Sequence, residues 1–195
     1  METDILGVVL AGGKSSRMGT DKAAIEFDGA TFVERAVSVL ASVFAEVVVA
    51  GVSSVAPTVH VLPDRLPGHG PLAGLDAAFS YAGGRSVFVL ALDMPFVSSS
   101  TVHALIDPRP DAMGATIAKS EGRVQPLCGI YGSGLAERVR DIVGSGDRSM
   151  ARLLDALDDV RWVEVDARST MNINSVEDLE AALKLDQPGG AAIDV

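Results

Sequence analysis

The amino-terminal segment holds the closest grouping of residues whose types suit phosphate chemistry. An apolar run over residues 5–10 leads directly into Ala11, Gly12 and Gly13. Such a run predicts a strand that is buried on both faces. The two glycines let the backbone approach a ligand without an intervening Cβ, and consecutive amides in such a turn form a concavity that binds anions.

Three cations follow the glycines. Lys14, Arg17 and Lys22 lie within nine positions, against a single acid, Asp21. Neither of two familiar glycine loops, GxxxxGK[ST] and GxGxxG, occurs in this stretch. The cluster favours a pocket for a nucleoside triphosphate. The alternative is an ordinary glycine turn with solvated basic residues.

A second loop, over residues 62–75, joins a predicted strand to a predicted helix. It contains three glycines and three prolines, so it is shaped, partly rigid and rich in accessible backbone donors and acceptors. Such a loop suits recognition of the edge of a nucleotide base. The alternative is a plain connection in which Pro71 occupies the first helical turn.

Asp93 follows the most apolar predicted strand and precedes Pro95 by two positions. Magnesium prefers oxygen ligands and commonly uses one or two protein carboxylates together with substrate phosphates. One aspartate at the end of a strand is therefore enough to anchor the ion. The alternative is that Asp93 only caps a turn ahead of Pro95.

Two asparagines, Asn172 and Asn174, precede the last predicted helix at positions i and i+2 of an extended segment. This spacing places both side chains on the same side, where they would hold a ligand or satisfy loop backbone. The single cysteine, Cys128, has apolar neighbours and no partner for an internal disulfide, which predicts a buried thiol.

Alternating strands and helices must position these residues. Strand-like runs cover residues 5–10, 46–51, 59–62, 86–92, 115–118, 124–131 and 161–165. Helical patterns begin with a capping box of Thr31 and Glu34 and continue over 72–81, 99–106, 134–143, 150–157 and 176–185, the last capped by Ser175 with Asp178.

This alternation predicts an α/β protein, a three-layer, Rossmann-like domain with a mainly parallel twisted sheet. We expect one domain over residues 1–186 and a disordered tail over 187–195. Ligands of open α/β sheets bind beyond the carboxyl ends of the strands, where the strand order reverses, and the candidate residues follow predicted strands.

Charge and hydropathy exclude several classes of function. The 195 residues carry a formal net charge of −10, which argues against nucleic acid as a partner. The local basic cluster must therefore attract a triphosphate, helped by a divalent cation. No apolar run approaches the roughly 20 residues of a membrane span, and the acidic start lacks the basic region of a secretory signal. We expect a cytoplasmic protein without membrane contact.

Five segments resemble, in the family's order, the molybdenum cofactor guanylyltransferases, also called molybdopterin-guanine dinucleotide synthases. They are LAGGKSSRMGTDKA at 10–23, PGHGPLAGL at 67–75, LALDMPF at 90–96, QPLCGIY at 125–131 and MNINSVEDL at 171–179. The resemblance spans nearly the whole chain and implies a nucleotidyltransferase domain. It implies transfer of GMP from GTP to the phosphate of molybdopterin, usually already carrying molybdenum, with release of pyrophosphate.

The resemblance also implies roles for individual residues. The catalytic residues would be Arg17, Lys22 and Asp93, with Mg²⁺ held by Asp93. The residues that would bind the nucleotide include Leu10, Ala11, Gly12, Gly13, Lys22 and Asp93. Asp64 would lie on the guanosine side, and the guanine would be selected by Gly70, Pro71, Leu72 and Gly74. The acceptor would be bound by Gln125, Asn172 and Asn174. The family often has an asparagine directly after its second main strand, where this chain has Ala50.

Molybdenum-insertion proteins or molybdoenzymes would be transient partners. Two other interpretations stay open. One is a cytidylyltransferase, or another small-cofactor nucleotidyltransferase, of the same fold. The other is a non-catalytic nucleotide-binding or cofactor-binding carrier.

Overall fold

A computed structural model describes residues 1–11, 22–51, 59–63 and 70–186. Within these residues a seven-stranded sheet has the order β5-β4-β1-β6-β8-β7-β9, and a separate two-stranded hairpin pairs β2 with β3. The strands are β1 Ile5–Leu10, β2 Glu26–Phe27, β3 Ala30–Thr31, β4 Val47–Ala50, β5 His60–Leu62, β6 Ser86–Ala91, β7 Ala115–Ser120, β8 Arg123–Tyr131 and β9 Val160–Glu164.

The sheet is mainly parallel. β1 pairs with β4 and β6, β4 pairs with β5, and β7 pairs with β9, all in parallel register. Among the strands of the described residues, only β8 runs the other way, between β6 and β7. From β1 the chain moves outward to β4 and β5 and then returns to β6 on the other side of β1, so the strand order reverses where β1 meets β6. This reversal is where an open α/β sheet binds its ligands.

Helices cover both faces of the sheet. They are α1 Phe32–Ala41, α2 Pro71–Ala82, α3 Ser99–Ile106, α4 Ala136–Gly144, α5 Met150–Asp155 and α6 Val176–Asp186. One apolar cluster joins α1, α3 and α6 to one face, and a second joins α2, α4 and α5 to the other. The three-layer α/β prediction is confirmed, because each face of a sheet with apolar side chains on both sides needs a helical layer.

The predicted helix starts are correct where capping chemistry marks them. Thr31 and Glu34 form the expected reciprocal capping box at α1. The predicted helix over 134–143 is partly wrong, because Ser133–Leu135 forms a 3-10 turn before α4 begins. The predicted helix over 150–157 ends at Asp155, and Ala156 is its C-terminal cap.

Sequence reasoning missed the hairpin of β2 and β3, because strands of two residues show no periodicity. Its turn is formed by Asp28 and Gly29, both with positive φ (48° and 76°). An Asp-Gly pair is a strong short-range hairpin signal and would have predicted it. The hairpin matters for function because it fixes the chain between the 3-10 turn Lys22–Ala24 and α1: the amide of Phe32 donates to the carbonyl of Ile25 at 3.0 Å.

Candidate active site

The carboxyl ends of β1, β4 and β6 are fixed relative to one another just where the strand order reverses. The amide of Leu92 donates to the carbonyl of Leu10 at 3.3 Å, and the amide of Ala11 donates to the carbonyl of Ala50 at 2.8 Å. The predicted positions Leu10, Ala11 and Asp93 therefore lie at one edge of the sheet. Hydrogen bonds between the central strands set this arrangement.

Asp93 is held in place by its own backbone. Its carbonyl accepts the amide of the buried Ile173 at 2.9 Å, and the next residue, Met94, turns back to the carbonyl of Ala91 at 3.4 Å. The carboxylate is thus presented just past β6 with 21% of the side chain exposed. A carboxylate so placed is partly shielded from water yet open to a ligand.

Lys22 lies directly against Asp93. Its Nζ is 3.1 Å from Oδ2 of Asp93 and donates at 2.6 Å to Oδ1 of Asn174. Lys22 belongs to the 3-10 turn Lys22–Ala24, and its side chain is 16% exposed. Three segments that are far apart in the sequence therefore meet at one ammonium group. The carboxylate and the amide oxygen together fix the position of this positive charge.

The carboxyl-terminal contribution to the site is stabilised at the start of α6. Oδ2 of Asp178 accepts the amides of Asn174 and Ser175 at 2.9 and 3.0 Å, and the amide of Asp178 donates to Oγ of Ser175 at 3.1 Å. The predicted cap of Ser175 with Asp178 is confirmed. Hydrogen bonds, that from the Asn174 amide first, lower the pKa of Asp178 below its ordinary value, and the charge of Lys22 adds a smaller lowering.

The predicted base-recognition segment starts α2. Gly70 is the N-terminal cap with φ 71°, and Pro71 follows at the first helical position. A Cβ on Gly74 would lie 2.7 Å from Cδ2 of Leu10, so the missing side chain brings α2 close to the end of β1. Leu72 is fully buried in the core, backbone included, so its predicted contact with a nucleotide stays a prediction.

A cleft between α2 and the ends of β1 and β4 is lined by Leu10, Ala50, Gly51, Pro63, Gly70, Pro71, Ala73, Gly74 and Ala77. Its walls are small or apolar side chains and backbone. Ala50 is buried, and its Cβ faces the position that a side chain on Gly74 would take. Its lining residues place the cleft at the carboxyl ends of β1, β4 and β5.

The three predicted acceptor-binding residues lie in two places. Gln125 lies on β8 and pairs with Ala118 of β7, just after the register shift between Ile117 and Ala118. Asn174 contacts Lys22, whereas Nδ2 of Asn172 donates to the carbonyl of Thr170 at 3.2 Å and so satisfies loop backbone. Asn172 thus satisfies loop backbone, Asn174 contacts a side chain of the protein, and the binding of an acceptor by these residues stays a prediction.

Several predicted site residues lie outside the described part of the chain. They are Gly12, Gly13, Lys14, Arg17 and Asp64. Their roles stay predictions. The contact between Lys22 and Asn174 is the feature that sequence reasoning missed, since it sees the two residues only as parts of separate motifs.

A separate cavity of about 770 Å³ opens between α1 and the loops after β6 and β9. Two arginines in its wall lie over aromatic rings: Arg35 is 4.9 Å from the ring centroid of Phe27, and Arg168 is 4.8 Å from that of Phe96. Arg35 also contacts Asp28 at 3.5 Å. These guanidinium groups are engaged within the protein, and the chemistry-bearing pair of Lys22 and Asp93 is not part of the wall.

No cluster of three or more metal-ligating side chains exists among the described residues. Within the described part of the chain, the carboxylate of Asp93 and the amide oxygen of Asn174 both contact Nζ of Lys22. This donor set fits magnesium, which commonly takes one or two carboxylates and completes its shell with water and phosphate oxygens. It does not fit a metal that needs a full set of protein ligands, such as structural zinc.

A mainly parallel seven-stranded sheet with helices on both faces is the architecture of the α/β nucleotidyltransferases that this chain matches in structure, and the chain has that fold. A family model described as MobA-like NTP transferase domain matches residues 7–160. The chain belongs to this family, as its sequence motifs predicted, and is a nucleotidyltransferase.

Its relatives cover almost the whole chain. A probable molybdenum cofactor guanylyltransferase of Mycobacterium bovis (strain BCG / Pasteur 1173P2) is 41% identical over 194 residues, which span 95% of this chain and 94% of the relative. Another from Mycobacterium marinum is 37% identical and spans 92% and 94%. The crystal structure of molybdopterin-guanine dinucleotide biosynthesis protein A from Archaeoglobus fulgidus has a TM-score of 0.77 at 25% identity and spans 92% and 97%.

Across the described ranges, every helix falls short of the length and apolarity that crossing a bilayer requires.

Proposed function

We propose that this protein transfers GMP from GTP to the phosphate of molybdopterin and releases pyrophosphate, in the presence of Mg²⁺. The product is the guanine dinucleotide form of the molybdenum cofactor. The observation that carries the proposal is the contact of Lys22 with Asp93 at 3.1 Å, at the reversal of strand order in a MobA-like domain. The names of relatives 41% and 37% identical to this chain support GTP and molybdopterin as the substrates.

The reaction needs little from the protein beyond placement and charge. An oxygen of the acceptor phosphate forms a bond to the α-phosphorus of GTP while the bond between that phosphorus and the bridging oxygen breaks, and pyrophosphate leaves with the electron pair. A phosphate monoester is already anionic at neutral pH, so no side chain has to deprotonate it. Positioning and electrostatic stabilisation are then the sources of rate.

Each residue of the site has a role in this scheme. Residues 11–13 would cradle the phosphates, as the glycine-rich sequence predicts, and Arg17 with Lys22 would offset the charge that develops on pyrophosphate. Lys22 exchanges its contact with Asp93 for one with a phosphate oxygen when GTP binds. These assignments are proposals from the family pattern.

The base and the acceptor use the neighbouring elements. Backbone groups at the start of α2, over residues 70–74, select guanine from the cleft beside Gly74, and Asp64 holds the guanosine side. Gln125 on β8 would face the acceptor, as the family pattern implies. Asn174 acts through its contact with Lys22.

Magnesium would be held by Asp93 together with substrate oxygens, and when bound it supplies charge that offsets the phosphates and keeps them aligned. The carboxylate of Asp93, which pairs with Lys22 at 3.1 Å, supports this assignment, because the ion would then enter with the nucleotide and not ahead of it.

The test is a pyrophosphate-release assay with Mg²⁺, GTP and molybdopterin, with the dinucleotide product identified by mass spectrometry. Asp93→Asn should lower kcat by about 100- to 1,000-fold, the usual cost of removing one preorganised charged contact. Asp141→Asn, which changes an exposed carboxylate on α4, is the matched control and should keep wild-type turnover. Near-normal activity of Asp93→Asn would remove the metal assignment.

The same assay separates the other interpretations. Faster turnover with CTP than with GTP would make the protein a cytidylyltransferase. Tight GTP binding without pyrophosphate release would make it a carrier. Preference for GTP with release of one pyrophosphate per product supports the proposal.

A further inference from the structure

We propose that Asp178 is a positioning residue of this site. It fixes the backbone of Asn174, so that the side chain of Asn174 holds the ammonium group of Lys22 over Asp93. The consequence for catalysis rests on the function proposed above, whereas the effect on Lys22 itself does not.

The argument begins with the shared acceptor at the start of α6. One oxygen of Asp178, Oδ2, receives two consecutive amides, those of Asn174 and Ser175, at 2.9 and 3.0 Å. A capping box needs only the second of these. The bond to the amide of Asn174 is additional, and it fixes the residue that precedes the helix cap.

Asn174 is otherwise poorly supported. It is exposed, and the other hydrogen bond described for it is the one that its Oδ1 accepts from Nζ of Lys22 at 2.6 Å. An exposed side chain pays rotamer entropy to hold such a contact unless the backbone is fixed beneath it. Asp178 supplies this fixed point.

Ile173 fixes the segment from the other direction. Its amide donates to the carbonyl of Asp93 at 2.9 Å, and its side chain is fully buried. Asn174 is therefore held between a bond to Asp93 on one side and a bond to Asp178 on the other. When both hydrogen bonds are present, Nζ of Lys22 contacts the carboxylate of Asp93 and the amide oxygen of Asn174 together. Without Asp178, this segment keeps the hydrogen bond from Ile173 to Asp93 but loses the one that fixes Asn174.

The rate at which Lys22 is chemically labelled reports how firmly its ammonium group is held, and the measurement needs no substrate. The chain has four lysines, Lys14, Lys22, Lys119 and Lys184, and peptide mapping distinguishes them after brief acetylation with acetic anhydride. Lys119, which pairs with Glu164 at 3.3 Å on β7, is the internal reference. Asp178→Ala should raise the labelling rate of Lys22 relative to Lys119 about fivefold, the effect of losing one net hydrogen bond.

Two matched variants separate positioning from helix stability and charge. Ser175→Ala removes the bond from the Asp178 amide to Oγ of Ser175 but leaves the bond to Asn174. Glu177→Gln removes an exposed carboxylate from the same helical turn. Neither should change the labelling of Lys22, although Ser175→Ala should lower the melting temperature. If Ser175→Ala raises the labelling rate of Lys22 as much as Asp178→Ala does, Asp178 only starts the helix, and the proposal is overturned.

A double variant tests whether Asp178 acts through Asn174. Asn174→Ala should raise labelling about as much as Asp178→Ala, and the double variant no further, because the two residues form one path. If the increase in the labelling rate of Lys22 in the double variant equals the product of the two single increases, the residues act independently and the proposal is overturned. Circular dichroism checks the fold; if Asp178→Ala does not fold, Asp178→Asn replaces it and should give a smaller rise in the same direction.

The kinetic readout links the network to catalysis. Asp178→Ala should lower kcat/KM for GTP about fivefold, while Glu177→Gln should not change it. Faster labelling with unchanged turnover would overturn the catalytic part of the proposal. If the wild-type protein transfers no guanylate, the proposed function fails, and the labelling experiment still tests Asp178.

Discussion

The contact between Lys22 and Asp93 makes opposite predictions for metal binding with and without the nucleotide. In the free protein the ammonium group occupies one oxygen of the carboxylate that we assign to the metal. Lys22→Met removes the charge and keeps an unbranched apolar side chain of similar length. We expect this variant to bind Mn²⁺, which takes the same kind of oxygen ligands as Mg²⁺, more tightly than the wild-type protein does.

The expected size follows from the geometry. Two unit charges 3.1 Å apart attract by roughly 5 kcal/mol at an effective dielectric constant of about 20. Desolvation and side-chain entropy offset most of this, and the partly exposed side chains leave a net contribution of about 1.5 to 3 kcal/mol for a charged hydrogen bond. A metal that must displace Lys22 loses that amount. The variant should therefore bind Mn²⁺ roughly ten- to hundredfold more tightly.

Electron paramagnetic resonance measures free Mn²⁺ directly during the titration. Lys119→Met is the matched control, because it makes the same change in net charge at a surface pair on β7. It should shift the Mn²⁺ affinity less than twofold. When GTP is present the sign reverses: Lys22→Met should bind Mn²⁺ together with GTP about tenfold more weakly, since Lys22 then contacts phosphate.

Two results would refute the reasoning. If Lys22→Met and wild type bind Mn²⁺ equally without GTP, the lysine does not compete with the metal at Asp93. If Asp93→Asn leaves the Mn²⁺ titration unchanged in both states, the ion binds elsewhere.

Two further predictions concern the frame around the site. Gly129→Ala should lower the free energy of unfolding by about 2 to 3 kcal/mol in urea denaturation, because its Cβ would lie 2.5 Å from the carbonyl oxygen of Thr116 on the next strand. Gly144→Ala on α4, where nothing lies within 4 Å of the new Cβ, should instead stabilise by roughly 0.5 to 1 kcal/mol; a loss there as large as at Gly129 would contradict the steric argument. Burial raises the pKa of the Cys128 thiol to about 12, so at pH 8 its reaction with iodoacetamide should be about 1,000-fold slower in the folded protein than in guanidinium chloride. Fast alkylation of the folded protein would show that the thiol is not buried.

Local patterns predicted most of the secondary structure. The first strand, the capping box at α1 and the cap at Ser175 are each encoded by residues within a few positions of one another, so they were readable without the fold. The antiparallel placement of β8 was not readable, because its apolar run looks the same in either direction. The observed start of α4 differs from the predicted one for a similar reason, since helical periodicity does not distinguish a 3-10 turn from the first turn of an α-helix.

The sequence by itself determined the class of chemistry. A glycine turn with cations after one strand and an aspartate after another are local facts, and the order of the motifs was enough to indicate a nucleotidyltransferase. The family model and the relatives bear this out.

Only the tertiary structure decided which of these residues act together. The ammonium group of Lys22 contacts Asp93 and Asn174, which lie 71 and 152 positions further along the sequence. The structure also distinguishes the two asparagines: Asn174 contacts Lys22, whereas Asn172 donates to the backbone of its own loop. Contacts of this kind arise because β1 and β6 are neighbours in the sheet and the segment before α6 crosses their ends. Spacing along the chain carries no information about that crossing.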